Sequence, residues 1–316
     1  MIFVSGSIAY DTIISTVGTF DSSRRGDDNH YSYSLYAPRV IRQAGGTGHN
    51  IAYSLGLLWY KNKTILTGSV GSDFIIDERL EQYIDYTHVL KDEQTLTAGA
   101  YITNDDENNQ IIAFHPWAMA SGLHTIPHQK FDYAIVTPND KAIMVAHVHA
   151  TKQSGALVFF DPGQALGLFT KEDLSDLFGH IDYLICNDEE ASTIAKLFDT
   201  TENQLYTLCA GVIITRGAHG ISLYPSNTWW NPFKRQDNVK EITIPSYPTD
   251  QVIDPTGAGD AFRGAMLAGL VSWVSLETAL WYGCIMWSLA VSHQGTMNHS
   301  ITMEELKEKY RLRKGE

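Results

Sequence analysis

Asp254-Pro255-Thr256-Gly257-Ala258-Gly259-Asp260-Ala261-Phe262-Arg263-Gly264-Ala265-Met266-Leu267 decides how this 316-residue chain is read. The stretch follows an apolar run that reads as a strand ending at Ile253, and its small and apolar residues lead into a helix. Gly257 and Gly259 remove side chains at the helix start, so backbone N–H groups are free to converge on an anion. Asp260 falls in the first helical turn, where the helix dipole favours the ionised carboxyl. A carboxylate beside an oxyanion cradle is the equipment of phosphoryl transfer: a base for an incoming hydroxyl and donors for the phosphoryl group. A glycine turn with an acidic first-turn residue also suits an ordinary helix start, so the rest of the chain has to decide.

Outward from this stretch the rhythm is one of strands alternating with helices. Short apolar runs at 2–4, 64–67, 131–137, 156–160, 183–186 and 212–215 are separated by helical patterns such as 48–58. Thr170-Lys171-Glu172-Asp173 opens one helix, and Thr302-Met303-Glu304-Glu305, a capping box, opens the last. The alternation predicts an α/β fold, a mostly parallel central sheet flanked by helices on both faces. No repeat, low-complexity tract or Pro/Ser-rich linker divides the chain, so residues 1–316 read as one fold. Two regions break the rhythm. Residues 31–36 alternate at period two, and 95–103 and 110–115 flank a polar turn at 104–109. Together they predict a small antiparallel sheet formed by about residues 12–42 and 95–118, with the core made by the remainder. Such a sheet can lie over a cleft as a lid, or pair with a copy of itself in a homodimer.

Composition narrows the partners. With 23 Lys+Arg against 36 Asp+Glu the net charge is −13, which argues against a nucleic-acid binder. Arg24-Arg25 and Lys234-Arg235 are scattered basic pairs rather than a patch. Hydrophobic residues make up 44%, enough to bury a sizeable core. Cys186, Cys209 and Cys284 stand far apart without CxxC spacing, the usage of a reducing cytosol. Met1 leads straight into Ile2-Phe3-Val4-Ser5-Gly6, unlike a secretory leader. Residues 266–291 carry a single charge, Glu277, and are long enough to raise the question of a membrane span. Ser275 and Glu277 read instead as an N-cap and a first-turn acid between two buried helices. With a mean hydropathy of −0.16, the expectation is a cytoplasmic protein with no membrane segment. There is no GxxxxGK[ST] and no GxGxxG after the first strand. His147 and His149 lie two apart in a helical pattern and point different ways, so they make no metal pair. Trp229-Trp230 reads as cover for the core edge.

The 254–267 stretch resembles the C-terminal signature of the PfkB (ribokinase-like) carbohydrate and nucleoside kinases at every defined position. The resemblance runs over nearly the whole chain and implies a ribokinase-like fold with a small β lid. It implies that Asp260 is the catalytic base and that Gly257, Ala258 and Gly259 complete the anion hole. Ala44-Gly45-Gly46-Thr47-Gly48-His49-Asn50-Ile51-Ala52 resembles the start of the N-terminal signature, although Trp59 stands where that pattern has a small residue. Gly45 and Gly46 let a ligand approach the backbone, and Asn50 offers a donor and an acceptor to hydroxyls. Ser5-Gly6-Ser7-Ile8-Ala9-Tyr10-Asp11 resembles the family's first strand and turn, implying that Asp11 accepts hydrogen bonds from two sugar hydroxyls. Asn187-Asp188-Glu189-Glu190 matches N-x-x-E, which implies Asn187 near the nucleotide and Glu190 acting through water on the metal–phosphate complex. The same four residues make a good helix cap. Thr215-Arg216-Gly217-Ala218-His219-Gly220 resembles the T-x-G-x-x-G loop, implying ATP-phosphate contacts from Thr215, Arg216, Gly217 and Gly220. The implied reaction uses ATP and Mg²⁺, with room for a monovalent cation such as K⁺.

Local details look like the ribokinase-like adenosine kinases of bacteria: the 6–11 segment, 113–119, Asp161-Pro162-Gly163-Gln164, and Arg263 after Asp-Ala-Phe. That resemblance implies that Phe114 and Gln164 contact a purine, with Ser7, Ser34 and Met119 as further substrate contacts. An aromatic face plus an amide suits a purine, whereas a free sugar offers nothing to stack on. Ala165 stands where close relatives can carry a second Gln. The reading is transfer of phosphoryl from Mg·ATP to the 5′-hydroxyl of adenosine. The alternatives are a sugar kinase acting on ribose or fructose, and a non-catalytic nucleotide- or sugar-sensing module. The intact Asp260 and N-x-x-E speak against the second, because a binder needs neither.

Overall fold

The computed structural model describes every residue except Asp28, Asn108, 122–125, His128, 226–239 and Glu316. Trp229-Trp230 and Lys234-Arg235 therefore lie outside the described residues. The apolar runs become strands β1 (Ile2–Ser5), β6 (Thr64–Gly71), β7 (Val89–Asp92), β10 (Tyr133–Val136), β11 (Leu157–Phe160), β12 (Tyr183–Asn187), β13 (Val212–Thr215), β14 (Ile221–Tyr224) and β15 (Ile242–Ile244). They form one sheet in the order β15-β14-β13-β12-β11-β10-β1-β6-β7. From β13 to β7 every pairing is parallel, and β14 and β15 add an antiparallel edge.

Side chains alternate across a strand, and both faces of this sheet are buried. Ile2 and Val4 point into one core with helices α1 (Thr47–Leu58), α5 (Ala258–Val271), α6 (Leu276–Val291) and α7 (Met303–Lys314). Phe3 points into the other, with α2 (Lys141–Gln153), α3 (Lys171–Phe178) and α4 (Asp188–Leu197). The helix starts follow the sequence. Thr170, Asn187 and Thr302 each close a capping box, and Ser275 caps α6 by accepting from the Thr278 N–H. Residues 266–291 split into α5 and α6 as expected, and among the described residues no helix is long and apolar enough to cross a membrane.

A second, smaller sheet stands apart from the main one. It consists of β2 (Ala9–Ser15), β5 (Arg39–Gly45), β8 (Ala98–Asn104) and β9 (Gln110–His115) in the order β5-β2-β8-β9. It differs from the expected antiparallel sheet in that β2 and β8 pair in parallel. Residues 31–36 do not join it. Tyr31–Tyr33 forms β4 and pairs with β3 (Arg24–Gly26) in a fully exposed two-stranded ribbon. No strand ends at Ile253 either. The N–H groups of Ile253 and Asp254 donate to the Val291 carbonyl, so the end of α6 takes the place of a sheet partner.

Candidate functional site

The site lies where ligands settle in open α/β sheets, beyond the carboxyl ends of the parallel strands. Its floor is the start of α5. Gly257 is the N-cap with φ 72°, a left-handed conformation that L side chains resist, and a Cβ there would sit 2.7 Å from Thr296. One turn on, Asp260 Oδ2 accepts a hydrogen bond from Asn50 Nδ2 at 2.8 Å, joining α5 to α1 across 210 residues of sequence. The N-terminal signature and the C-terminal signature thus meet at one carboxyl. Burial pushes Asp260 up to about 7. Arg263 and the Asn50 bond pull the other way, and Asp161 and Asp11 add to the rise. A carboxyl raised in this way can exchange a proton nearer neutral pH than an exposed aspartate does.

Asp11 faces this point from the second sheet. It lies within β2 rather than in a turn, paired with Gln43 and Ala100. Burial and then the charge of Asp254 raise its carboxyl to about 6. The glycine pair makes room for it. A Cβ on Gly45 would sit 2.4 Å from Asp11 Oδ2, and Gly46, at φ 95°, has no space for one against the Ser7 carbonyl. Ser7 itself is buried, and its hydroxyl accepts from the Thr47 N–H at 3.0 Å, so it holds the start of α1. Two buried polar atoms here lack a hydrogen-bond partner among the described residues, Asn50 Oδ1 and Gln43 Nε2. Buried groups of this kind are costly unless a ligand satisfies them.

The register places Phe114 in the same row. Asp11 pairs with Ala100 and Ala100 with Phe114, so the three side chains share a face. Two strand spacings separate Asp11 from Phe114, about 10 Å. Phe114 is 47% exposed, an aromatic face open to solvent. Met119 sits half-buried in the short turn Trp117–Ala120. Gln164 is exposed in the turn Gly163–Leu168 after β11. Ser34 is exposed beside the β3–β4 ribbon, its N–H directed at the Ser23 carbonyl, and no hydrogen bond ties it to Asp11 or Asp260 among the described residues.

On the other side of α5 a cleft opens along the ends of β12 and β13. Asn187, Thr215, Gly217 and Gly220 line it, and Gly259 closes it at the cradle. Its apolar wall is formed by Ile221, Phe262 and Trp287. Arg216 is not among the residues that line this cleft, but its guanidinium binds one of them, Asp188, at 2.5 Å and Glu202 at 3.5 Å, and Nε donates to Ser222. Glu190 has both carboxylate oxygens on Asn187, one accepting from its backbone N–H and one from Nδ2. Burial and the nearby Asp161 raise the Glu190 carboxyl. His147 turns inward to Ser5 and His149 outward to Asp176, as their spacing predicts.

The sequence reading undervalued one pair. Asp161, in the turn after β11, and Arg263, on α5, are both buried and form an ion pair, Arg263 Nε 2.6 Å from Asp161 Oδ2, in which Nε and Asp161 Oδ1, like Asn50 Oδ1, have no hydrogen-bond partner among the described residues. An arginine inside an otherwise apolar helix face was the signal available: Phe262 and Gly264 to Val271 are all buried.

The sequence profile of the pfkB family carbohydrate kinases matches residues 8–303. A nucleoside kinase of Methanocaldococcus jannaschii is 28% identical over 284 residues, covering 87% of this chain and 88% of that protein. Structures of Burkholderia thailandensis nucleoside kinase in complex with inosine and with ADP-inosine superpose with TM-scores of 0.83 and 0.78. Each is 31% identical, and the match covers 100% of this chain and 98% and 97% of those. A ribokinase of Lactococcus lactis is 24% identical over 279 residues, covering 84% of this chain and 85% of that enzyme.

Proposed function

Because the chain belongs to the pfkB family of carbohydrate kinases, we propose that it transfers the γ-phosphoryl of Mg·ATP to the 5′-hydroxyl of a purine nucleoside, adenosine in the first place. The observation that carries this reading is the meeting at Asp260 of two half-sites. The cleft from Asn187 and Thr215 reaches the cradle from one side, and Asp11 and Asn50 reach it from the other. Asp11 and Asn50 hold the ribose, with the Asn50 Oδ1 lone pair taking a ribose hydroxyl. The second sheet serves as a lid whose Phe114, in the Asp11 row, lies under the base, with Gln164 offering an amide to its edge. The structure of a relative with inosine supports a purine acceptor. Asp260 accepts the proton of the 5′-hydroxyl as its oxygen attacks, and first-turn N–H groups of residues 257–260 hold the transferring phosphoryl. Bound Mg²⁺ would spread the phosphate charge, and Glu190, whose carboxylate rests on Asn187 at the edge of the cleft, would hold it through water.

A sugar acceptor is the second reading, favoured because Asp11 beside Gly45 and Gly46 offers a carboxylate to a diol and nothing specific to a base. ADP formation from Mg·ATP with adenosine, inosine, ribose and fructose decides between them. Turnover on purine nucleosides, lost in Asp260→Asn, is the expected result. Turnover on sugars alone would keep Asp260 as base and reduce Phe114 and Gln164 to packing. Full turnover by Asp260→Asn would remove the assignment of the base.

A further inference from the structure

We propose that Arg263, locked by Asp161, is a built-in counter-charge beneath the phosphoryl cradle, a positioning residue that keeps the base ionisable while phosphate charge gathers beside it. The inference rests on the reading of Asp260 as the base. Arg263 lies three residues after Asp260, hence on the same helix face, and helical side chains tilt towards the N-terminus. Its guanidinium therefore reaches back to the cradle. A Cβ on Gly259 would sit 2.7 Å from one terminal nitrogen, which puts the guanidinium directly against the backbone of the cradle.

The groups around it show an excess of acid. Asp161 faces it from the turn after β11, Asp260 from its own helix and Glu190 from α4, and each is electrostatically coupled to it. Asp11, from β2, adds negative charge at Asp260, while Asn50, from α1, donates to it. The buried Cys186 thiol, on β12, is held far above its ordinary value. A lone buried ion pair can often be replaced by apolar side chains without loss of stability. One buried cation among three acids is a poorer stabiliser still, which points to a role in the chemistry. Without it, Asp260 would lose the largest influence favouring its ionised form.

The two partners make opposite predictions. Removing Arg263 takes a positive charge from Asp260, whereas removing the charge of Asp161 takes a negative one. The measurement is kcat/KM against pH, from ADP formation with Mg·ATP and a purine nucleoside, for the intact chain and its Arg263→Met, Arg263→Lys, Asp161→Asn and Asp260→Asn variants. Thermal melting and ATP titration check that each folds and binds nucleotide. In Arg263→Met the acid limb should move up by about one pH unit or more. In Asp161→Asn it should move down, and in Arg263→Lys it should stay near that of the parent. Acid limbs that do not move, or move the same way in Arg263→Met and Asp161→Asn, would overturn the proposal. If Arg263→Met fails to fold, the direction of the Asp161→Asn shift decides alone. Undiminished turnover in Asp260→Asn would instead sink the reading of the base.

Discussion

At the scale of single residues, the site keeps two carboxyls at protonation states that an exposed aspartate would not hold. Asp260 is raised to about 7, so on raising the pH the unfolded chain loses its proton near 4 and the folded chain only near 7. Folding is therefore penalised progressively across that window, and the penalty stays above it. Asp260→Asn should melt at a higher temperature than the parent at pH 8, with the gap closing towards pH 4. Thermal melts in a pH series measure this directly. Gly45→Ala should act on a different parameter. Its Cβ would displace the Asp11 carboxylate, so the acceptor KM should rise about tenfold or more while the ATP KM stays unchanged. Neither effect follows from composition. Asp260 was legible as a candidate because the motif that carries it is local, a glycine turn opening a helix, although its partner Asn50 lies 210 residues away. Arg263 was less so, because its partner Asp161 is set by a strand order that no short pattern encodes.

The elements divide in the same way. Helix starts were readable from four residues, since a capping box is satisfied within one turn. Buried strands were readable as apolar runs, because both faces of the parallel sheet are covered. Strand partners were not readable. The alternation at Tyr31–Tyr33 is real, yet it pairs with Arg24–Gly26, and β2 takes β8 as a parallel neighbour from almost 90 residues away. Asn187 shows an element and a candidate site sharing one residue, capping α4 and lining the cleft proposed above for the nucleotide. Asn187→Ala should cost about 1 kcal/mol of stability and raise the KM for ATP. Asn187→Ser retains a good cap without setting a second carboxylate against Glu190, and it removes the amide from the cleft. It should preserve the melting temperature while still raising the KM for ATP, which separates the two roles.

At the scale of the whole molecule, burial sets an acid limit. His49 and His299 are enclosed, and burial depresses both to about 4. The unfolded chain takes up their protons near 6.5, so stability falls as the pH drops from there towards 4. Each histidine contributes roughly 1.4 kcal/mol per pH unit across that window. His299→Gln should flatten the acid side of the melting curve, read as the slope of melting temperature against pH. Both rings have a hydroxyl partner, Ser54 at 3.1 Å for His299 and Tyr86 at the shorter 2.7 Å for His49, so the His299 change disturbs the weaker contact.

The position of β1 has a further consequence. This strand comes early in the sequence, yet it lies inside the sheet, between β6 and β10. During synthesis its four residues emerge long before Tyr133–Val136, which must lie along one side of them. Closing such distant contacts is slow, because chain entropy is lost before the pairing is gained. Until then Ile2, Phe3 and Val4 are an apolar segment with at least one free edge even after β6 has paired with them, open to self-association or to a chaperone. A strand that is made first therefore waits for β10 before its second edge is covered, and dilute, slow refolding should recover more of this protein than fast refolding at high concentration.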